Sequence, residues 1–573
     1  MAEPQLDTEQ PQGETSSPEV LVRDGESSLC DFANGLIEEA TRGRREQAHE
    51  DEWKDWEDHF WGQMWPDNLP TFKPPIVENE LQSLILTEVS DLSDARPTVF
   101  IQKNPQHPER DEAVERAFHA VWQRHAVDQI IMQSSLHGMV FPLGFFTCLW
   151  HPTALQGLGD LIIQAKHPRQ VLPDPDAVDD DHWRYVCLQE VMDLLDIRKM
   201  WPDQGWRVKP EAGYSLKLGS HSGTQQRSGW YQGPLYSQGG SQVAEGYAKA
   251  RAVVNSIFIY DDALEEEIDE HKDDAGNVLS LSLVRRSKYP NGRLIQMANN
   301  VILYDGPNPY WGRFPVVRVP MFPTLDTFWP PVSPFGSVLE LQKAANKVES
   351  LKVENVLRLN AGLLIADADS GVDPNTFTNI PGQCILKKPG SDVHVQYPPP
   401  MPQDMVMMPE QLRYTMKLIL GFPPSRVGMG ARGNVSAELN ETEISQSMSL
   451  SRLRGRLLHN SVQKLAEMIL ARMAQFYTTA RGLAYVAPGG KWESVPWRPL
   501  DDPQGYSVHV DPASFTVRSK SMMQRLYLQL AKAGKIGTPD LLKMLEIPNA
   551  EEVGKRMMEE LALQAQAKEN KKK

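Results

Sequence analysis

The sequence predicts an α+β fold that is mainly helical, and three patterns support this prediction. Two long segments carry apolar residues at helical spacing, one from Ser333 to about Asn360 and one from Ser436 to Thr479. Between residues 253 and 320, runs of β-branched and aromatic residues are separated by turn residues, which is typical of strands. At 573 residues the chain is long enough for a large core and several domains.

The charge balance limits the kinds of partner. The chain has 59 Lys and Arg against 75 Asp and Glu, a net charge of −16 at pH 7. Because neutralising phosphates supplies most non-specific affinity for nucleic acid, a protein that grips DNA is normally basic. We therefore expect that any contact with DNA is made without a tight grip.

Cysteine usage and hydropathy exclude several classes. The cysteines lie far apart without C-x-x-C spacing, so we expect neither a metal site nor a disulfide framework: Cys30, Cys148, Cys187 and Cys384. The longest apolar stretch, Met139–Trp150, is too short to span a bilayer. The acidic, Pro-rich start is unlike a signal peptide. We expect a soluble subunit in a reducing compartment, with no membrane partner and no cofactor.

The N-terminal third combines helices and strands. Residues 1–28, rich in Glu, Gln, Ser and Pro, are predicted to be disordered. An amphipathic helix follows, with an apolar stripe that predicts a core or subunit-contact face: Trp53, Trp56, Phe60 and Met64. Residues 109–136 are predicted to be helical, and Met139–Trp150 and Leu161–Lys166 to be strands. The Gly-, Ser- and Gln-rich residues 214–246 predict a long surface loop.

The acidic cluster Asp174–Asp181 allows two interpretations, a calcium loop or a solvated turn. It lacks the glycine at loop position six, the acid at position five and the closing glutamate at position twelve of calcium loops. We therefore favour the solvated turn and predict no metal site.

The central region predicts a small β module. Val253–Tyr260 and Leu279–Arg286 have strand patterns, and the acidic run between them, Asp261–Asp274, is typical of a solvated flap. The Asn-Gly pair inside Tyr289–Arg293 is a strong signal for a hairpin turn. Residues 294–297 and 301–304 continue the predicted sheet.

The helix that begins at Ser333-Pro334 has N-cap and N1 residues at its start. Polar residues interrupt its apolar pattern, which suits a helix that packs against copies of itself around an axis: Gln342, Asn346, Glu349 and Asn355. The second long helix carries a clear apolar stripe: Leu458, Val462, Leu465, Ile469, Met473 and Phe476.

The loop between the helices, Gly421–Asn434, contains a G-x-G-x-x-G pattern. A dinucleotide fingerprint requires a strand before it and a βαβ unit around it. Here the preceding Pro409–Leu420 predicts a helix, so we interpret the segment as a mobile cationic loop. The sequence also lacks a phosphate loop, a G-x-S-x-G elbow and an H-E-x-x-H pair. We predict no catalytic residues and a protein that is not an enzyme.

The order of these elements resembles the portal proteins of tailed bacteriophages, particularly the head-to-tail connectors of short-tailed phages. The resemblance rests on the turn-rich module with Tyr289–Arg293, the helix with Gln342 and Asn346, the Gly/Arg loop, and Asn434-Val-Ser-Ala-Glu438 before the very long helix. The segment Pro168–Pro175 is also similar to a portal wing segment.

The resemblance implies a portal fold, with long stem and wing helices, a β-rich clip and a ring-forming subunit. It divides the chain into a disordered N-terminus (1–28), a first wing part (29–252), a clip (253–325), a stem helix (326–360), a second wing part (361–421), a tunnel loop (422–435), a long wing or crown helix (436–480), and a crown with the C-terminal tail (481–573).

The resemblance also implies functional residues. The DNA-facing tunnel loop would hold Arg426, Gly428, Gly430, Arg432 and Gly433, the stem helix Gln342, Asn346 and Lys347, and the docking surface of the clip Tyr289, Asn291 and Arg293. Glycine permits backbone conformations that other residues avoid, so it lowers the cost of loop movement. The alternative for Arg426 and Arg432 is that they form ordinary salt bridges between subunits.

The implied function is a structural ring, typically of twelve subunits, at one capsid vertex in the virion. Double-stranded DNA would pass through it during packaging and ejection. The implied partners are further copies of the chain, the packaging ATPase of the terminase, tail adaptor proteins, and the major capsid and scaffolding proteins, with assembly in the cytoplasm of the host bacterium. The alternatives are another virion component, such as a tail adaptor, and a nucleotide-binding enzyme that uses Gly428, Gly430 and Gly433.

Overall fold

The computed structural model describes residues 26–210, 251–422 and 448–533, apart from short gaps at 67–68, 70–73, 94–96, 98, 104–108, 262, 273–277, 361–362, 368, 372–387, 391, 397–399, 487–491, 501–504 and 512–526; beyond 533 it describes only 537, 541–542 and 556. The predicted loop 214–246 and the predicted tunnel loop, apart from Phe422, lie outside the described residues. Within the described part, residues 26–43, 169–210 and 251–314 form one compact unit, and the other residues form a second.

The described residues combine helices with strands whose pairs are antiparallel, which confirms the α+β class. The helices are α1 (Glu26–Ala48), α2 (Trp53–Phe60), α3 (Glu80–Ser93), α4 (Glu112–Arg124), α5 (Val127–Val140), α6 (Leu194–Met200), α7 (Gly336–Asn360), α8 (Gln403–Leu420) and α9 (Ser449–Phe476). The strands are β1 (Val99–Lys103), β2 (Glu109–Arg110), β3 (Leu143–His151), β4 (Asp160–Lys166), β5 (Val171–Pro173), β6 (Tyr185–Asp193), β7 (Arg251–Ile259), β8 (Leu264–Lys272), β9 (Val278–Ser287), β10 (Arg293–Ala298), β11 (Val301–Pro307), β12 (Val316–Pro320), β13 (Leu363–Ala366), β14 (Val393–Gln396), β15 (Arg481–Val486), β16 (Trp492–Trp497) and β17 (Tyr506–Val510).

The first unit is built on a five-stranded antiparallel sheet in the order β11-β10-β7-β6-β5. Successive side chains of a strand point to opposite faces. In β7, Ala252 and Val254 accordingly join an apolar cluster with α6, while Ile257 and Ile259 join another with α1. Helices therefore cover this sheet on both faces.

This sheet crosses the predicted limits of the clip, 253–325. Strands β5 and β6 join it from outside those limits, while β12, inside them, pairs with β3 in the second unit. The strand predictions themselves are confirmed, and the assignment of 253–325 to a clip stays a prediction.

The Asn-Gly turn was predicted to close a hairpin, and this is wrong. The turn forms, with the Gly292 amide donating to the Tyr289 carbonyl at 2.9 Å and Gly292 at φ +85°. However, β9 pairs with β8, and β10 pairs with β7 and β11, so the turn joins two different sheets. The hairpin turn lies one strand later, at Asn299 and Asn300, which both have positive φ. Asparagine tolerates this conformation, as the type I′ hairpin turn requires.

One prediction about an acidic segment is also corrected. The expected solvated flap is not contradicted: its residues form β8, which pairs along its length with β9, and its exposure stays a prediction. In the expected solvated turn, Asp174 and Asp180 are buried. The Asp174 carboxylate accepts hydrogen bonds from the amides of Asp176 and Arg184, both at 3.0 Å. These bonds compensate the carboxylate for lost water and hold the turn to the strand that follows.

The second unit packs α5 and α9 against the three-stranded sheet β12-β3-β4. The predicted stripe of α9 is confirmed as core: Leu458, Val462, Leu465, Ile469 and Met473 are fully buried, and Phe476 stacks on Trp150 with centroids 4.9 Å apart. Helix α5 approaches β3 closely at Gly144, where a Cβ would lie 2.2 Å from the Ser134 carbonyl oxygen. Only glycine permits this approach.

Of the predicted stripe, Trp53, Trp56 and Phe60 lie in α2 and are buried in the core of the second unit, whereas the helix ends at Phe60, before Met64. Trp53 lies 5.7 Å from Trp329 between ring centroids. Residues 26–28, predicted to be disordered, instead begin α1, because this helix buries an apolar face from Cys30 onward. Residues 1–25 lie outside the described part.

Candidate functional site

Helices α7 and α8 form an antiparallel pair, and α7 carries the predicted stem residues Gln342, Asn346 and Lys347. The strands that connect them, β13 and β14, pair with each other, which returns the chain beside α7. Arg413 of α8 binds Glu349 of α7 at 3.1 Å. We call residues 336–350 and 411–420 the proximal half of the pair, and residues 351–357 and 403–410 the distal half.

The polar residues of the predicted stem helix are bound within the same chain. Gln342 and Asn346 are buried. The Gln342 amide donates to the Glu78 carbonyl and to Asn346 Oδ1, and Asn346 Oδ1 accepts from the Glu78 amide at 3.3 Å. Ser350 lies one helical turn beyond Asn346, and its Oγ accepts from the Ile76 amide at 3.2 Å. These side chains satisfy the backbone of residues 76–78, which has no strand partner.

This arrangement corrects the interpretation that Gln342, Asn346 and Glu349 signal packing against other copies, while for Asn355 it stays a prediction. Glu349 also has partners in the chain, Lys352 and Arg413, both at 3.1 Å. Lys347 is exposed on the helix. The helix itself begins as predicted, because Ser333 Oγ accepts from the Gly336 amide at 2.9 Å and caps its first turn. The role of Gln342, Asn346 and Lys347 in a stem stays a prediction.

The helices on either side of the predicted tunnel loop meet at a buried ion pair. Arg454 of α9 and Glu88 of α3 are both inaccessible to solvent, with Nη1 and Oε1 3.0 Å apart. Arg454 Nη1 also donates to the Leu420 carbonyl at 3.2 Å, and Ser451 Oγ donates to Glu88 at 2.9 Å. Arg454 thus joins the end of α8 to α9, and Glu88 of α3 holds Arg454 and Ser451 in place.

The loop residues Arg426, Gly428, Gly430, Arg432 and Gly433 lie outside the described residues. Their context is described on both sides. Helix α8 precedes them and ends at Gly421, whose φ of +88° is the left-handed cap that glycine favours. The predicted helix before the G-x-G-x-x-G pattern is confirmed, and a helix there is incompatible with a dinucleotide fingerprint, which follows a strand.

The predicted docking residues of the clip meet in one turn of the first unit. Arg293 forms a bidentate pair with Asp305, at 2.8 and 3.0 Å, and a third bond to Asp261 at 3.0 Å. The hydrogen bonds that Arg293 donates to Asp305, ahead of the one that it donates to Asp261, raise the pKa of Arg293. Tyr289 is half-buried, with the Arg293 guanidinium 5.4 Å from its ring centre, and Asn291 is exposed. Arg293 therefore fixes the turn, and its docking role stays a prediction.

A small, largely apolar cleft in the second unit has a histidine in its wall. Its lining includes Phe60, Trp61, Phe141 and His137. Burial lowers the pKa of His137 to about 4, against the raising effect of its hydrogen bond to the Lys166 backbone. His137 is consequently neutral at pH 7 and acts as a packed aromatic side chain.

Sequence analysis missed the distal half of the helix pair. The helix predicted from Pro409 begins six residues earlier, at Gln403, and tolerates Pro409 in its interior. The added residues include Met405, Val406, Met407 and Met408, all exposed. Four consecutive apolar residues, separated by two residues from a proline-rich stretch, were the available signal.

Two features are absent from the described residues, a metal-binding cluster and a membrane-spanning helix. Within the described part of the chain, no group of three or more His, Cys, Asp or Glu side chains is placed to hold a metal ion. Of the helices described, none has both the length and the apolar character that crossing a bilayer requires.

Comparison with known proteins matches the chain to a protein family. A family model described as "Phage P22-like portal protein" matches residues 44–573. No curated protein matches the chain. Among solved structures, the chain is similar to one in "Neck of empty GTA particle computed with C6 symmetry", with 10% identity over 84% of this chain and 96% of that chain, and a TM-score of 0.32.

Proposed function

This chain belongs to the phage P22-like portal protein family, and we propose that it forms a closed ring at one vertex of a bacteriophage capsid. The observation that carries the proposal is the family match, which covers residues 44–573 and thus nearly the whole chain. The structural portal role therefore applies to the chain as a whole. We expect twelve subunits in the ring.

The ring is proposed to be the conduit for double-stranded DNA during genome packaging and ejection. DNA that must slide would stall at strongly attractive sites, so the net charge of −16 supports passage without retention. Arg426 and Arg432 are proposed to face the DNA from the tunnel loop, with Gly428, Gly430 and Gly433 permitting its movement. Electrostatic contacts of this kind carry no base-specific information.

The ring is also proposed to be a docking platform in the virion. Its partners would be the packaging ATPase, tail adaptor proteins, and the major capsid and scaffolding proteins, with assembly in the host cytoplasm. Tyr289 and Asn291 are proposed docking residues on the turn that Arg293 fixes. The family is a structural one, and we propose no catalytic residue and no cofactor, since the packaging ATPase supplies the energy.

Electron microscopy of the purified full-length chain tests the ring. We expect closed rings of cyclic symmetry with a central channel. Monomers or dimers alone, across a range of salt and protein concentrations, would contradict the proposal.

A packaging assay tests the conduit separately. The Arg426→Ala/Arg432→Ala variant should assemble normally and package or retain DNA poorly, while the control Arg45→Ala/Arg116→Ala, at exposed arginines outside the loop, should behave as wild type. Normal packaging by the loop variant would show that the loop is only a connector or forms salt bridges between subunits.

A further inference from the structure

The distal half of the α7–α8 pair has an unusual surface. Eight large apolar side chains there are 37–55% exposed: Leu351, Val353, Val356, Leu357, Met405, Val406, Met407 and Met408. Among the described side chains of this half, only Glu354 and Pro409 are buried. We call these eight residues the apolar band. Together they expose an area on the order of several hundred Å², which monomeric soluble proteins rarely leave in contact with water.

The apolar band surrounds the helix pair. Residues 405–408 are consecutive in α8, and consecutive helical residues are about 100° apart around the axis. One complete turn of α8 is therefore apolar on every side. Leu351 and Val356 of α7 are five residues apart and likewise point about 140° away from each other. A helix that is apolar all round is normally buried.

The band continues along α8 as a stripe. Met407, Tyr414 and Leu418 lie at i, i+7 and i+11, on the side of the helix opposite the buried Met416 and Leu420, and all three are exposed. This is the spacing by which one helix packs along another. The 18 residues of α8 span about 27 Å, so the stripe and the band form a contact of helical length.

We propose that the apolar band is the contact between neighbouring copies of this chain, with α8 of one copy packed against the distal part of α7 in the next. This inference rests on the proposed ring. A two-fold dimer buries one patch of each copy, whereas in a ring each copy is covered on two flanks by head-to-tail contacts. An apolar surface on all sides requires cover on more than one flank, which the ring supplies.

The chemistry of the band excludes DNA as its occupant. Binding DNA requires cations that neutralise phosphates. Among the described side chains of the distal half, the positively charged one is Lys352, and its ammonium group already binds Glu349 at 3.1 Å. The band instead matches the apolar centre of a protein interface.

Single substitutions test the contact. Met407→Asp and Val356→Asp should each weaken assembly at least ~100-fold in the concentration required, because a buried carboxylate without a partner opposes association. Leu325→Asp is the matched control, since Leu325 is also an exposed apolar residue, at 90% exposure, but lies outside the band. It should assemble as wild type. Sedimentation velocity measures all four proteins.

Mixing the two variants tests the head-to-tail geometry. Each retains one intact flank, so an equimolar mixture of Met407→Asp and Val356→Asp should form 1:1 dimers that cannot grow into rings. Formation of these dimers also shows that both variants fold.

The outcomes separate the two proposals. If wild type forms no rings, the proposed function itself fails. If wild type forms rings and Met407→Asp does so equally well, the band belongs to a different partner and this inference is overturned. Loss of rings in Leu325→Asp as well, or a mixture that stays monomeric, would also overturn it.

Discussion

In the proximal half of the α7–α8 pair, polar side chains such as Gln342, Asn346 and Arg413 are bound by residues of the same chain, whereas in the distal half apolar side chains such as Val356 and Met407 face outward. This is the reverse of the usual distribution in a soluble protein. The difference marks the position along the helix pair where side chains bound by the same chain give way to exposed apolar side chains. Beyond residue 350 of α7 and before residue 411 of α8, we infer that the partners are other copies.

The largest effect should come from the buried ion pair at the proximal end of α8. Glu88→Ala leaves Arg454 charged and buried, which should lower the free energy of unfolding by about 3–5 kcal/mol. Chemical unfolding of the dissociated subunit measures this. The paired replacement Glu88→Leu/Arg454→Met is the control and should recover most of the loss. Equal losses in both variants would show that the ion pair is not what anchors α8.

The next largest effect should be the response of subunit stability to acid, through His137 of α5, which lies outside both halves of the helix pair. Because folding lowers the pKa of His137 from 6.5 to about 4, the unfolded chain takes up this proton at a higher pH than the folded chain. Stability is therefore full above pH 6.5 and falls as the pH drops towards 4, by about 3 kcal/mol in total. Unfolding of the dissociated subunit at pH 7 and pH 5 should show a smaller difference in His137→Gln. An unchanged difference would contradict the assignment.

A smaller effect is expected for Asn346→Ala in the proximal half. The substitution leaves the Glu78 amide and the Gln342 side chain without this partner, which should cost about 1–3 kcal/mol of subunit stability. The exposed neighbour Lys347→Ala is the matched control and should change stability by less than about 0.5 kcal/mol. If Asn346→Ala instead disrupted only assembly, the polar ladder would belong to the contact between copies.

The smallest effect on subunit stability should come from the distal half. Val356→Ala and Met408→Ala should each change the unfolding free energy of the dissociated subunit by less than about 0.5 kcal/mol, because both side chains are exposed there. For comparison, Leu465→Ala in the core of α9 should cost about 2–5 kcal/mol. Losses of that size in the distal half would show that the chain itself buries it.

Local patterns predicted what local physics determines. The stripe of α9 from Leu458 to Met473, the cap at Ser333 and the strand β7 follow from spacing and residue type alone. The helix predicted before Gly421 is also confirmed. Each of these features depends on residues within one or two turns or one strand.

The features that the sequence did not reveal depend on distant partners. Gln342 was interpreted as a contact between copies because its partner, Glu78, lies 264 residues away in the chain. The Asn-Gly turn formed, but strand pairing joined it to two sheets rather than one hairpin. The start of α8 was missed because a helix apolar on all sides has no amphipathic period, and Pro409 suggested a boundary.

The most direct test of the account is methionine oxidation followed by mass spectrometry, on the assembled and the dissociated full-length chain. Met405, Met407 and Met408 are 41–48% exposed in the single chain, as are the reference residues Met132 and Met200 at 45% and 41%. We predict that assembly protects the three methionines of the distal half and leaves the two reference methionines equally oxidised. Equal oxidation of Met405, Met407 and Met408 in the ring and in the dissociated subunit would contradict the account.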